Sequence, residues 1–202
     1  MKNNRLFLAI NLPERIKDKL MSLQKDLRKS FDDLEIEKFE GKKIIKWTNK
    51  DNLHITLAFI GNANEKEIGF ICKNSEEVSK QFSPFSFPLY KTEYAPPNSK
   101  IPRMIWVKAK EKKTLSKIKE ELDQKMDSSK NIPYTKDEHH FIPHVTLARI
   151  KKWAFRRLEP EDRPGILRNF SYSFGVNSIE LLNSKLSKGS PNYSLVKSFK
   201  LK

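Results

Sequence analysis

Two spacings of apolar residues alternate along this chain, and they predict alternating strands and helices. Residues 5–10 (RLFLAI) form a short apolar run. Behind Pro13, the residues Ile16, Leu20, Leu23 and Leu27 recur at helical spacing, so the two segments read as a strand and an amphipathic helix. The same order returns at 103–109 (RMIWVKA), rich in β formers. Leu115, Ile118, Leu122 and Met126 then share one helical stripe, with Thr114 a candidate N-cap.

Each strand and helix leads to a strand-like stretch carrying the same core, NLHITLAFI at 52–60 and FIPHVTLAR at 141–149. The chain therefore reads as two copies of strand, helix, strand, joined through the segment from Pro84 to Pro102. Aligned on Arg5 and Arg103 the leading strands are 98 residues apart, whereas the histidines are 90 apart. That leaves about eight extra residues in the first copy, placed in the charged stretch 31–43 (FDDLEIEKFEGKK) and expected to form an exposed loop or hairpin. A second helix is expected at 64–82, and a weaker one around 153–168 that Pro160 and Pro164 would interrupt. Strands at 85–94, 170–184 and 193–201 complete the sheets, with the Gly and Pro of SKGSP turning between the last two. The fold class is α+β, built as two similar lobes.

Composition narrows the picture. A chain of 202 residues can bury one good-sized core without cross-links. Forty Lys and Arg against twenty-five Asp and Glu give a formal charge of +15, a field that favours polyanions such as nucleic acid or acidic membrane, although a general surplus of lysine would give the same figure. Cys72 is the only cysteine, which excludes an intramolecular disulfide and a cysteine-based zinc site and suits a reducing compartment. The run RLFLAINLP is too short to span a membrane and lacks a cleavage pattern, so a cytoplasmic monomer without a membrane anchor is expected. The six glycines include no P-loop or dinucleotide fingerprint.

On a strand, His54 and Thr56 share one face, as do His144 and Thr146. If two lobes pack about a pseudo-twofold axis, both pairs line one groove. One imidazole can then be neutral and accept a proton while the other is charged and donates one, with the hydroxyls holding an anion between them. This suits phosphodiester chemistry. A lone His-x-Thr would more simply be a histidine satisfied by its neighbours; the duplicate in matched context argues for a paired site. A metal centre from the four histidines has poor spacing, since His139 and His140 alternate faces on an extended chain. The rival from another class is a non-catalytic RNA-binding module with Tyr134, Phe141, Trp106 or Trp153 stacking on bases. Trp106, within its apolar strand, reads first as core.

The motifs RLFLAINLP, WTNKDNLHITLAFIG at 47–61, PRMIWV at 102–107, FIPHVTLARI at 141–150 and NSKLSKGSPNY at 183–193 resemble, in this order, the signatures of the LigT-like RNA 2′,3′-cyclic phosphodiesterases of the two-histidine (2H) phosphoesterase superfamily. The resemblance covers nearly the whole chain. It implies a single domain over 1–202 made of two intertwined lobes, with two pseudo-twofold-related antiparallel sheets flanked by helices around a central groove. It also implies hydrolysis of RNA cyclic phosphate ends, or small cyclic nucleotides, to 2′-phosphates without cofactor or metal. By matching position, His54 and Thr56 form one half of the site and His144 and Thr146 the other, with His54 the acid to the 3′ oxygen and His144 the base for water, although pseudosymmetry admits the reverse. Joining RNA ends through a 2′,5′ linkage would be the reverse use of the same groups. Ile142 departs from the family, many of whose members carry a basic residue there; His139 and His140 read as loop residues. Arg149, on the face opposite Thr146 in a regular strand, is expected to be a salt-bridge or surface residue.

Overall fold

The computed structural model describes residues 4–110, 113–129, 132–137, 139–187 and 190–202. Two antiparallel sheets carry the fold. The first has the strand order β3-β1-β8-β9 and the second β2-β6-β5-β4-β7. The strands are β1 (Asn4–Asn11), β2 (Ile45–Trp47), β3 (His54–Ala63), β4 (Phe85–Ala95), β5 (Met104–Ala109), β6 (His144–Ile150), β7 (Asn169–Val176), β8 (Ser178–Ser187) and β9 (Ser190–Lys200). Helices α1 (Glu14–Phe39), α2 (Glu65–Ser79), α3 (Lys113–Asp127) and the single turn α4 (Lys152–Phe155) complete it. Each His-x-Thr opens a strand, β3 or β6, whose neighbour is the leading strand of its own copy, β1 or β5.

The helices exchange sheets. Helix α1 follows β1 of the first sheet but packs on the second, where Phe31 meets Trp47 edge-on and stacks against Phe155, and Lys19 lies over Tyr172. Helix α3 follows β5 of the second sheet and packs on β3 of the first, beside α2. One apolar core therefore runs through both sheets, from Leu8 and Ile55 to Val107 and Val145.

The stretch 31–43 is not a loop. Helix α1 continues to Phe39 because Phe31, Leu34 and Phe39 extend the buried stripe of Ile16, Leu20, Leu23 and Leu27, while Asp32, Asp33, Glu37 and Lys38 form its solvent face. The buried carboxylate of Glu35 accepts from the backbone N–H of Ile44 at 2.8 Å and pairs with Lys43 at 2.7 Å, tying the helix end to the start of β2. The helix ends with Glu40 in the left-handed region and its N–H on the Glu35 carbonyl.

Other sequence expectations are adjusted by smaller effects. Asn64 and Glu67 form a capping box that starts α2. Helix α3 begins at Lys113, so Thr114 lies in its first turn and not at its N-cap. The helix expected around 153–168 shrinks to α4 and a 3-10 turn at Pro160–Asp162, as the two prolines require. Strands β8 and β9 pair as far as Ser187 and Ser190; the Lys188 and Gly189 turn lies outside the described residues.

Gln24, fully buried in α1, joins helix to sheet by donating its amide to the carbonyls of Thr48 at 2.9 Å and Leu147 at 3.0 Å. Replacing it with leucine removes the amide donor from the Thr48 carbonyl and leaves the Leu147 carbonyl with the Thr48 N–H alone. Gln24→Leu should lose about 1 to 3 kcal/mol in urea unfolding; unchanged stability would show that these bonds do not hold the helix.

Candidate active site

Strands β3 and β6 lie beside each other, outside any shared ladder. Over their first seven residues they repeat the same exposures: His54 and His144 partly exposed, the next residue buried, Thr56 and Thr146 partly exposed, two buried residues, an exposed one, then a buried isoleucine. The two consecutive buried residues mark a bulge. Ala9 pairs with Thr56 and Leu8 with Ala58, leaving Leu57 unopposed; Trp106 pairs with Thr146 and Ile105 with Ala148, leaving Leu147 unopposed. These pairings also place the leading strands 97 residues apart, one fewer than the arginine alignment suggests, so Trp106 corresponds to Ala9 and shares the groove face with Thr146.

Each histidine is held in the same way. The Nδ1 of His54 lies 2.7 Å from the Asn52 carbonyl, and that of His144 lies 2.8 Å from the Ile142 carbonyl. A carbonyl only accepts, so both Nδ1 atoms carry hydrogen, and in the neutral rings Nε2 is the free lone pair. At residue 142 the backbone oxygen does this work, which an isoleucine supplies as well as a basic residue. Thr56 places its hydroxyl 3.0 Å from Nε2 of His54.

The surroundings of the two rings differ. His144 stacks on Trp106 with centroids 3.7 Å apart and planes at 13°. His54 meets the edge of Tyr193 at 5.3 Å and the tilted ring of Phe7 at 5.1 Å. Tyr193 arrives from β9, whose start is anchored by the Asn52 amide donating to the Pro191 carbonyl at 2.8 Å. The second sheet contributes charge to the same face: Glu93, paired with Trp106 across β4 and β5, lies 3.4 Å from Lys91 and 3.7 Å from Lys108.

Arg149 does not point away from the site. The bulge at Leu147 reverses the alternation, so Arg149 shares the face of Thr146, and its guanidinium lies 3.7 Å from the Met104 sulfur. Its charge adds to the burial that lowers the pKa of His54 and His144, and partly opposes the burial that raises the pKa of Tyr193.

Burial lowers both imidazoles, whereas the sequence alone suggests one neutral and one charged ring. His54 is pushed below its ordinary value chiefly by desolvation, with Arg149 and Lys17 adding repulsion against the Asn52 carbonyl. His144 is pushed down to about 4 by desolvation, with the charges of His54 and Arg149 acting in the same direction and Ile142 and Glu93 opposing.

His139 and His140 lie exposed before β6, as loop residues. The other aromatics named from the sequence have separate surroundings: the Tyr134 hydroxyl donates to Asp123 at 2.5 Å, Phe141 packs against the core, and Trp153 meets Phe39 under Arg157. Sequence reasoning missed Arg149, whose face depends on the bulge, and the stacking role of Trp106, which depends on the pairing of β5 with β6. Phe7 and Tyr193 were quoted only within motifs. Among the described residues no group of three or more His, Cys, Asp or Glu side chains is placed to hold a metal, and no helix is long and apolar enough to cross a membrane.

The chain is similar to proteins of known family and fold. The family model of LigT like phosphoesterases matches residues 10–106. An RNA 2′,3′-cyclic phosphodiesterase of Aquifex aeolicus is 33% identical over 77% of this chain and 81% of its own. One from Methanocaldococcus jannaschii is 29% identical over 96% of this chain and 98% of its own. The crystal structure of TT0787 of Thermus thermophilus superposes with a TM-score of 0.77 at 27% identity, covering 98% of this chain and 97% of that one. The chain belongs to the LigT-like phosphoesterase family.

The depressed histidine has a consequence for stability. Above pH 6.5 both folded and unfolded His144 are neutral; as pH falls, the unfolded ring takes a proton that the folded ring refuses until about 4. Stability should therefore drop between pH 6.5 and 4, and more steeply in the wild type than in His144→Asn when both are unfolded with urea across that window. Parallel curves would contradict the shift.

Proposed function

We propose that this protein is an RNA 2′,3′-cyclic phosphodiesterase that opens cyclic phosphate ends to 2′-phosphates by metal-independent acid and base catalysis. The carrying observation is the duplicated clamp, two imidazoles with Nδ1 fixed to the carbonyl two residues upstream and Nε2 turned away from the backbone, on adjacent strands. The curated relatives bear the same activity in their names. The working unit is one phosphoesterase domain of two intertwined lobes, acting as a monomer, and its lone cysteine suits the cytoplasm.

In this reading the cyclic phosphate lies between His54 and His144, with Thr56, Thr146 and Arg149 donating to its non-bridging oxygens as charge builds. His144 Nε2 takes a proton from water as the water oxygen bonds to phosphorus. The bond from phosphorus to the 3′ oxygen breaks, and His54 Nε2 protonates that oxygen. The products are a 2′-phosphomonoester and a 3′-hydroxyl. Burial disfavours a charged acid in the empty site, so the anionic substrate supplies the counter-charge that lets His54 hold its proton. Trp106, stacked on His144, fixes the plane of the base.

Adenosine 2′,3′-cyclic phosphate in EDTA should yield the 2′-phosphate, and His54→Ala or His144→Ala should each lower kcat by about 10² to 10⁴. A 3′-phosphate product, loss of turnover in EDTA, or full activity in either variant would refute the reading. A non-catalytic RNA binder would instead keep its affinity in both variants and turn over nothing. RNA should bind less tightly as salt rises, with a log-log slope of about −0.7 per neutralised phosphate.

A further inference from the structure

The row of residues that begins with His144 continues as cations. Lys108 is the Cα partner of His144 across β5 and β6, and Lys91 is the partner of Lys108 across β4 and β5. Both lysines share the face of Trp106, because Lys108 lies two residues beyond it on β5 and Lys91 lies two residues before its partner Glu93 on β4. With strands about 4.8 Å apart, the two lysine backbones stand one and two spacings from that of the histidine, about 5 and 10 Å. On the first wall the residue opposite His54 is the uncharged Asn11, and the pairing of β1 with β8 stops at Ala9.

One carboxylate serves both lysines. Glu93 lies 3.4 Å from the Lys91 ammonium through one oxygen and 3.7 Å from the Lys108 ammonium through the other, and that second oxygen is buried and makes no hydrogen bond. The cluster therefore keeps one positive charge in excess, on lysine side chains that are 36% and 29% exposed. Ion pairs this loose and this open contribute little. Either ammonium can turn to a second anion at small cost while Glu93 holds the other in place.

We propose that Lys108 and Lys91 form a subsite for the phosphate next to the reacting one, carried on the 5′ oxygen of the terminal ribose, so that the groove selects RNA ends over mononucleotides. This rests on the phosphodiesterase reading and names its substrate class. A nucleotide strand is the occupant that fits, because its phosphates recur at intervals of the same order as the strand spacing and each is neutralised by a cation. The row starts at the imidazole that addresses the reacting phosphate, so a chain leaving that imidazole along the sheet meets Lys108 and then Lys91. A lone terminal phosphate leaves the excess charge of the cluster unused.

Calorimetric titration of adenosine 2′-monophosphate and of adenosine 2′,5′-bisphosphate at one ionic strength isolates the second phosphate, since the two ligands differ in nothing else. The wild type should bind the bisphosphate about tenfold more tightly. Lys91→Met and Lys108→Met keep the aliphatic stem and remove the charge. Each should cut that ratio about threefold, the double variant should bring it to about one, and Lys91→Arg should keep it. Lys29→Met, which removes an exposed charge on α1, should also keep it. Equal affinity of the wild type for both ligands, or a ratio that survives the double substitution, would overturn the subsite. So would a ratio that Lys29→Met lowers as much as Lys91→Met does, since the general positive field would then account for it. A wild type that opens no cyclic phosphate yet binds the bisphosphate more tightly through these lysines would refute the phosphodiesterase reading while leaving the subsite standing.

Discussion

A hydrogen bond from Nδ1 to the carbonyl two residues upstream orients each groove histidine, and the chain makes this bond twice, at Asn52 and at Ile142. Everything chemical about the groove follows from it. The bond selects the tautomer, directs the unprotonated Nε2 away from the backbone, and partly offsets the cost of burying an ionisable ring. It needs no particular side chain at the acceptor residue, so the two copies achieve the same geometry from different local sequences, Asn-Leu-His and Ile-Pro-His.

The bulges are the second device. One extra residue after each His-x-Thr brings the residue three places beyond the threonine back to the groove face, giving each wall a third groove-facing position in register with the first two. On one wall that position is Phe59 and on the other Arg149. Gln24 bonds the Leu147 carbonyl at the second bulge, so a helix that begins in the first copy supports a geometric feature of the second. The exchange of α1 and α3 between sheets thus couples the lobes through the same elements that shape the groove.

Periodicity exposed most of this architecture. The strand and helix order of both copies, the duplicated His-x-Thr and the α+β class were all legible, because burial on one face writes directly into spacing. The loop assigned to 31–43 was misread since a run of acids and lysines masks a stripe of only three apolar residues. The face of Arg149 was misread for a different reason: alternation assumes a regular ladder, and a bulge is set by the partner strand, not by the residues that it displaces. The lowering of both imidazole pKa values was likewise not legible, because desolvation depends on what covers the rings and not on which residues flank them.

The account stands on two Nε2 atoms addressing one phosphorus from opposite sides. A crystal structure with a nucleoside 2′,3′-vanadate, whose five-coordinate vanadium mimics the reacting phosphorus, measures this directly. The account predicts Nε2 of His54 and Nε2 of His144 within about 3 Å of the two opposite apical oxygens. A vanadium centre reached by only one imidazole, or by both from the same side, would contradict it.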